Sequence, residues 1–546
     1  MKTIDFLTAA DRFFYSMKTE KLLAFAALYL GVFLNFGLWR HVFMYPGMGT
    51  GVLIVFILCL ALALSVLTFI FISLLAWPYM TRPVLIVLFL MSGYANYSMF
   101  WYGITIDVDM IRNVFETDAH EASELFTFSS IAWIALTGVL PAAGLCFVKL
   151  EYPSLSQMLK SKGLALLLGI FALGGIFYGL NPRFEKGDPH LRYMLSPFNY
   201  IFSTALYARE ILGEEQDFIV LDADIAPVPV PPSGPNLVVF IVGETARAHN
   251  FSLNGYARQT NPLLEKEEHL FYFRNATACS TMTSRSVPCM FSAQTRKTFR
   301  KRDAHGTQNL LDILKQADYD VLWIGSSGGC KDTCDRVANQ MVKSDADSEF
   351  CTGDICYDEA LAENLETRLG NIRKNTFIVL HTTGSHGPTY HKKYPAAFHI
   401  FTPICTNNDL RLCDREEIVN AYDNSIVYTD YFIAKTIGML KAATHLNTAL
   451  FYTSDHGESL GEDGVYLHSM PYDMAPEYQK RVPMLLWMSE RLLQQPPLNA
   501  RCLADKAAHS GAASHDNAFH TLLGLSGINS KLYDANLDML NDCRNP

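Results

Sequence analysis

Four separate stretches of this 546-residue chain carry side chains that could act together in chemistry. Glu244 stands in VGETARAHN, Asp455 and His456 in YTSDHGESLGEDG, and His386 in HTTGSHGPTY. Carboxylate and imidazole groups can jointly bind a divalent metal, with a further oxygen completing the site. The fourth stretch, residues 277–290, reads TACSTMTSRSVPCM and sets five hydroxyl side chains between Cys279 and Cys289. A Ser or Thr hydroxyl is a poor nucleophile at neutral pH, and a nearby cation lowers its pKa so that the oxygen can attack. A disulfide closing this loop would hold the hydroxyl in place without the entropy of a mobile segment. Residue type alone does not choose among Thr277, Ser280, Thr281, Thr283, Ser284 and Ser286.

The elements that must position these groups are legible as apolar, β-branched runs. LVVFIV (237–242) leads into Glu244, TFIVLHTT (376–383) into His386, and TALFYTS (448–454) into Asp455 and His456. VLWIG (321–325) and PMLLW (483–487) are further runs of this kind, and helical periodicity covers 307–317, 357–373 and 416–442. Apolar strands alternating with helices predict a mainly parallel sheet covered on both faces, an α/β domain. In such sheets sites form beyond the carboxyl ends of the strands. A single Glu or His at a loop start is more often a cap or turn residue. Three strands ending this way argue for a shared site.

Half of all residues are hydrophobic, and the long apolar runs lie almost entirely before residue 182. Five stretches, near 22–39, 51–77, 83–104, 130–148 and 163–181, approach or exceed the roughly 20 residues that span a bilayer. The segments 1–21, 78–82 and 149–162 carry eight Lys or Arg residues, whereas 40–50 and 105–129 carry two. Basic loops stay on the cytoplasmic side, which places the start of the chain inside and everything after 182 outside. The reading is a transmembrane domain over 1–182, a bridging segment over 183–235 that ends in the stiff, proline-rich APVPVPPSGP (226–235), and an outer catalytic domain over 236–546. Cysteine usage agrees. Cys59 and Cys146 fall in spans, while Cys279, Cys289, Cys330, Cys334, Cys351, Cys356, Cys405, Cys413, Cys502 and Cys543 all lie on the outer side, an even number suited to disulfides in an oxidising compartment. The net charge of −10 gives no support to nucleic-acid binding.

The stretches VGETARAHNFSLNGY, the cysteine loop ending SVPCMFS, GGCKDTCDR, HTTGSHGPTY, YTSDHGESLGE and QKRVPMLLW together resemble the phosphoethanolamine transferases of Gram-negative bacteria, among them the lipid A modifying and mobile colistin-resistance enzymes. The resemblance runs over essentially the whole chain. It implies an outer domain like alkaline phosphatases and sulfatases, a Zn2+ held by Glu244, Thr283, Asp455 and His456, and Thr283 as nucleophile. It further implies Lys331, His386 and His468 as phosphate-site residues, and Asn113, Thr117 and Glu121, spaced for one helical face, as lipid-facing residues. Departures from the family pattern fall at Ser280, Arg285, Gly328 and Ser469, none of them an implied ligand. Arg285 is taken as a surface arginine, and His249, His381 and His399 as structural.

The implied reaction takes phosphoethanolamine from phosphatidylethanolamine to lipid A through a covalent threonine intermediate. The location would be the bacterial inner membrane, multi-pass, with the catalytic domain in the periplasm. The outcome would be resistance to polymyxin and other cationic peptides. Core sugars or periplasmic glucan are alternative acceptors, and an inactive zinc-binding envelope receptor is the alternative from another class. Oligomeric state is open.

Overall fold

Asn236–Gly243 (β1) is an almost unbroken valine, isoleucine, leucine and phenylalanine run, and seven of its eight residues are buried. A strand apolar on both faces belongs in the middle of a covered sheet, and that is where the computed structural model places it. The other strands are Leu270–Tyr272 (β2), Asp320–Gly325 (β3), Ala338–Met341 (β4), Thr376–His381 (β5), Asn447–Ser454 (β6) and Met484–Met488 (β7). Their order is β2-β7-β6-β1-β5-β3-β4. The sheet is mixed: β6, β1, β5, β3 and β4 pair in parallel, while β7 runs antiparallel to β6 and to β2. The five expected strands are present, whereas β2 and β4 are too short to show as apolar runs. Helices Leu310–Gln316, Glu359–Leu369 and Arg415–Ala442 lie within or across the expected helical stretches. Phe240, Phe291, Trp323 and Phe451 are fully buried in the core around the sheet.

The structure describes residues 15–43, 49–117, 119–180, 191–213, 218–325, 329–342, 348–352, 355–494, 498–509 and 513–544, with backbone alone at 15, 119–121 and 175–180. It divides into two units, Met1–Ile111 with Phe126–Arg209, and Arg112–Leu125 with Glu210–Pro546. The segment 112–125, which follows the third predicted span, therefore groups with the sheet-bearing unit. The proline-rich stretch also lies in that unit. Val228 N–H donates to the Ala317 carbonyl at 3.0 Å, and Asn375 Nδ2 donates to the carbonyls of Val228 and Pro229 at 3.0 and 3.3 Å.

In the first unit, Thr50–Leu75, Thr81–Trp101, Phe128–Cys146 and Leu155–Gly174 are long and apolar enough to cross a bilayer. Thr19–Phe33 and Phe36–Phe43 qualify together as a pair bent by 44°. The described residues thus hold four candidate spans, or five if the bent pair is one. The bend has an identifiable cause. Asn35 Nδ2 donates to the carbonyls of Leu30, Gly31 and Ser196 at 2.9, 3.1 and 2.9 Å, replacing main-chain partners at the break. The helix expected over 163–181 begins earlier, at Leu155. Its Lys162 covers the Trp77 ring at 4.0 Å and donates to the Ala76 carbonyl at 2.7 Å, capping the end of Thr50–Leu75.

Five disulfides join Cys279 to Cys289, Cys330 to Cys334, Cys351 to Cys356, Cys405 to Cys413 and Cys502 to Cys543, all in the second unit. Cys59 and Cys146 carry free thiols.

Candidate metal centre and active site

Strand register assembles the centre. Gly243 of β1 pairs with Ser454 of β6, so the next residue of each strand, Glu244 and Asp455, emerges at the same sheet end. Ligand atoms of Glu244, Asp455 and His456 lie within 4.8 Å of one another, and all three residues are buried. Asp455 Oδ1 accepts from the main-chain N–H of Thr245 at 3.0 Å and of His456 at 2.7 Å, while its Oδ2 has no hydrogen-bond partner. The His456 ring donates from Nδ1 to the Gly457 carbonyl at 2.9 Å, which turns the Nε2 lone pair toward Glu244 Oε1 (3.5 Å) and Asp455 Oδ2 (3.3 Å).

Burial raises the pKa of Glu244, and the neighbouring Asp455 raises it further. Burial likewise pushes Asp455 up to about 6 and His456 down to about 4. Two buried carboxylates facing a neutral imidazole, one oxygen orphaned, form a donor set that fits a divalent cation.

The six hydroxyl candidates separate once folded. Thr283 Oγ1 lies 3.3 and 3.2 Å from the two Glu244 oxygens and 3.2 Å from His456 Nε2. Thr281 donates instead to the Met470 carbonyl at 2.5 Å, and Ser286 to the Asp455 carbonyl at 2.6 Å. Ser284 Oγ is buried without a hydrogen-bond partner. Helix Thr283–Met290 starts at Thr283 itself, after the extended Met282 at φ −140°. Its first residue therefore sits at the positive end of the helix dipole, where developing negative charge is stabilised. The Cys279–Cys289 disulfide brackets that helix start.

One anchor of this loop was not singled out from sequence. Cys279 N–H donates to His515 Nδ1 at 3.0 Å, and His515 Nε2 donates to the Ser454 carbonyl at 2.9 Å. The ring thus ties the disulfide-closed 279–289 loop to the end of β6, and burial holds it neutral, with its pKa down at about 3. The partners are 236 residues apart, so no local pattern announces them.

His386 and His468 gather beside the centre. The His468 ring centroid lies 4.3 Å from that of His456 and 5.4 Å from that of His386. His468 Nδ1 donates to Glu458 Oε2 at 2.8 Å, and Glu458 Oε1 accepts from Tyr390 Oη at 2.6 Å. Burial pushes Glu458 up to about 7. Glu458 lies within DHGES, where residue type and spacing alone do not mark it as a partner of His468. Ser469, where the family pattern often has glycine, stands at φ 77° and donates its N–H to the Thr281 carbonyl at 3.0 Å.

The His386 loop is held between two strands' ends. Asp358 accepts from the N–H groups of Thr383 and Gly384 at 2.7 and 3.2 Å, and the Glu244 carbonyl accepts from Ser385 N–H at 3.0 Å. Gly384 sits at φ 53°, and a Cβ there would meet the Glu244 main-chain oxygen at 2.5 Å. Gly384→Ala is expected to destabilise by about 2–3 kcal/mol, read as a lower Tm, with turnover falling as the loop withdraws from Glu244. An unchanged Tm would contradict this packing.

Lys331 is half-buried; burial raises the pKa of Glu116 against the opposing charges of Lys301 and Lys331, whereas burial lowers that of His381 to about 4 and the Lys331 charge adds to the shift. His381 Nε2 is 4.0 Å from Glu244 Oε2. Asn113 and Thr117 are half-buried on one helical face, with Thr117 Oγ1 donating to the Asn113 carbonyl at 2.6 Å. Glu124, farther along this segment, faces Lys392 and Lys393 at 3.6 and 3.7 Å. The Glu121 side chain and Gly328 lie outside the described residues. Arg285, half-buried, occupies the first turn of helix Thr283–Met290, donating its N–H to the Met282 carbonyl at 3.2 Å.

Comparison with known proteins identifies relatives of the chain. A Sulfatase family model matches residues 236–528, and a model described as Phosphoethanolamine transferase EptA/EptB matches residues 63–212. The chain is 38% identical over 530 residues to the phosphoethanolamine transferase EptA of Escherichia coli K12, covering 96% of each chain. It is 34% identical over 482 residues to the phosphatidylethanolamine transferase Mcr-1 of Escherichia coli, covering 85% of each. Among solved structures, the integral membrane lipooligosaccharide phosphoethanolamine transferase A of Neisseria meningitidis superposes with a TM-score of 0.93 at 33% identity, covering 97% of this chain and 100% of that one. With these spans, this sheet and these relatives, the chain belongs to the phosphoethanolamine transferase family.

Proposed function

We propose that this enzyme moves phosphoethanolamine from phosphatidylethanolamine to lipid A by way of Thr283, from the periplasmic face of the inner membrane. The observation that carries the reading is the position of Thr283 Oγ1, within 3.3 Å of both Glu244 oxygens and 3.2 Å of His456 Nε2, at a helix start. Glu244, Asp455, His456 and Thr283 would hold Zn2+, whose charge lowers the pKa of the hydroxyl. Thr283 Oγ forms a bond to phosphorus as the bond to the diacylglycerol oxygen breaks, and that oxygen leaves with a proton. A lipid A phosphate oxygen then displaces Thr283 Oγ, which regains its proton.

The surrounding side chains have definable work. His468, fixed by Glu458, is placed to donate or accept the proton that each half-reaction moves. His386 and Lys331 offset charge on the phosphoryl oxygens. Asn113, Thr117 and Glu121 would contact the lipid donor. Membrane spans suit the task because donor and acceptor are both lipids. Added ethanolamine offsets lipid A's negative charge and weakens attraction of cationic peptides.

Mass spectrometry of envelope glycolipids from a polymyxin-sensitive host tests the reading. Cells making the full chain should carry phosphoethanolamine on lipid A and tolerate more polymyxin, whereas cells making Thr283→Ala should match the empty host. An adduct on core sugars or periplasmic glucan alone would move the assignment to those acceptors. No adduct anywhere would sink the transfer itself.

A further inference from the structure

The turn that carries Lys331 is strained. Gly329, Lys331 and Asp332 all lie in the left-handed region, at φ 69°, 52° and 68°, and two of the three carry a Cβ. Side chains disfavour that conformation, and it persists only where the surroundings over-determine it. Here alternate main-chain carbonyls are each gripped by a different side chain. The Gly329 carbonyl accepts from His381 Nδ1 at 3.0 Å, the Lys331 carbonyl from Lys301 Nζ at 3.2 Å, and the Thr333 carbonyl from Asn309 Nδ2 at 2.9 Å. Asn309 is itself fixed, because its Oδ1 caps helix Leu310–Gln316. The Cys330–Cys334 disulfide closes the turn.

Lys301 stands out among the three. Its side chain is only 6% exposed, an unusual place for an ammonium, and it also pairs with Asp332 Oδ2 at 2.7 Å. The Lys301 charge lowers the Asp332 pKa, outweighing the partial desolvation that opposes it. Two residues earlier, Phe299 packs against Cys279 and Cys289 of the nucleophile loop. One short stretch thus touches both the loop that sets Thr283 and the turn that sets Lys331.

We propose that Lys301 is a positioning residue. Through the Lys331 carbonyl and the Asp332 carboxylate it holds the turn in the left-handed conformation that presents Lys331 to the transferred phosphoryl group. The proposal rests on the reading of Lys331 as a phosphate-site lysine.

The test uses the full-length enzyme in detergent micelles with phosphatidylethanolamine as donor and lipid A as acceptor. Lys301→Met should lower kcat/KM about tenfold, and Lys301→Arg, which keeps a charged donor, should stay within about threefold of the parent. In a Lys331→Ala background, adding Lys301→Met should cost almost nothing further, since its effect runs through a side chain already gone. Hydrogen exchange of the 329–334 amides should speed up at least about tenfold in Lys301→Met. A full additional loss in the double variant would mark Lys301 as a general structural lysine and overturn the proposal, and so would unchanged exchange. Full turnover by Lys331→Ala would instead remove the phosphate role of Lys331, whatever the exchange data say about the turn.

Discussion

Full-length Thr283→Ala protein is expected to acquire no phosphoethanolamine adduct and to modify lipid A at least about a thousandfold more slowly than the parent. The loss should be chemical, not structural. Thr283 is only half-buried, its Oγ1 neighbours are side-chain atoms of Glu244 and His456, and the disulfide and helix that bracket it do not depend on its side chain. Its Tm should therefore stay near that of the parent. Thr283→Ser is the informative companion. It keeps the oxygen but loses the methyl group that restricts χ1, so an adduct should form about tenfold more slowly. Intact-mass spectrometry after incubation with phosphatidylethanolamine reads all three proteins. A phosphoethanolamine-sized mass increase on the alanine variant would relocate the nucleophile to another residue of the 277–290 stretch.

The second large effect concerns charge balance at Glu244 and Asp455. With zinc bound, Asp455→Asn should lower metal affinity by about a hundredfold or more, because an amide cannot replace an anionic ligand. In chelator the order of stability should reverse. Asp455 has a folded pKa of about 6 against an ordinary 3.8, so its stabilising contribution is whole below 3.8 and is lost as pH rises through 6. Above that window the ionised group costs the metal-free fold up to about 3 kcal/mol, and asparagine removes this cost while its Oδ1 still accepts from Thr245 and His456. Metal-free Asp455→Asn should therefore melt higher than metal-free parent at pH 8, by several degrees, and no higher at pH 4. Added zinc at about a thousandfold its Kd should stabilise the parent by about 4 kcal/mol and the variant far less. Thermal melts at the two pH values, with and without zinc, decide it. A variant less stable than the parent in chelator at pH 8 would show that the two carboxylates are not in conflict.

Much of the second unit could be read without coordinates. The runs at 237–242, 376–383 and 448–454 are each apolar, short and β-branched, and each became a strand of the central sheet. Hydrophobic periodicity is a local property, so it survives in the linear chain. The same holds for the apolar helices of the first unit, although not for the bend at Asn35, which depends on carbonyls as far away as Ser196. Glu244, Asp455 and His456 were visible as ligand types at strand ends, and resemblance singled out Thr283.

What folding alone decided is which groups meet. Only the pairing of Gly243 with Ser454 makes Glu244 and Asp455 neighbours, because register is a relation between strands some 210 residues apart. The fold sets the Thr283 hydroxyl, at a helix start, against Glu244 and His456, contacts that residue type and spacing do not specify. His515, Glu458 and Lys301 act through hydrogen bonds to partners that no spacing foretells, and the segment 112–125 joined the sheet-bearing unit despite lying between apolar runs. Residue chemistry and local period belong to the chain, whereas distance and burial, which decide whether carboxylates converge or a lysine is sequestered, arise only when it packs.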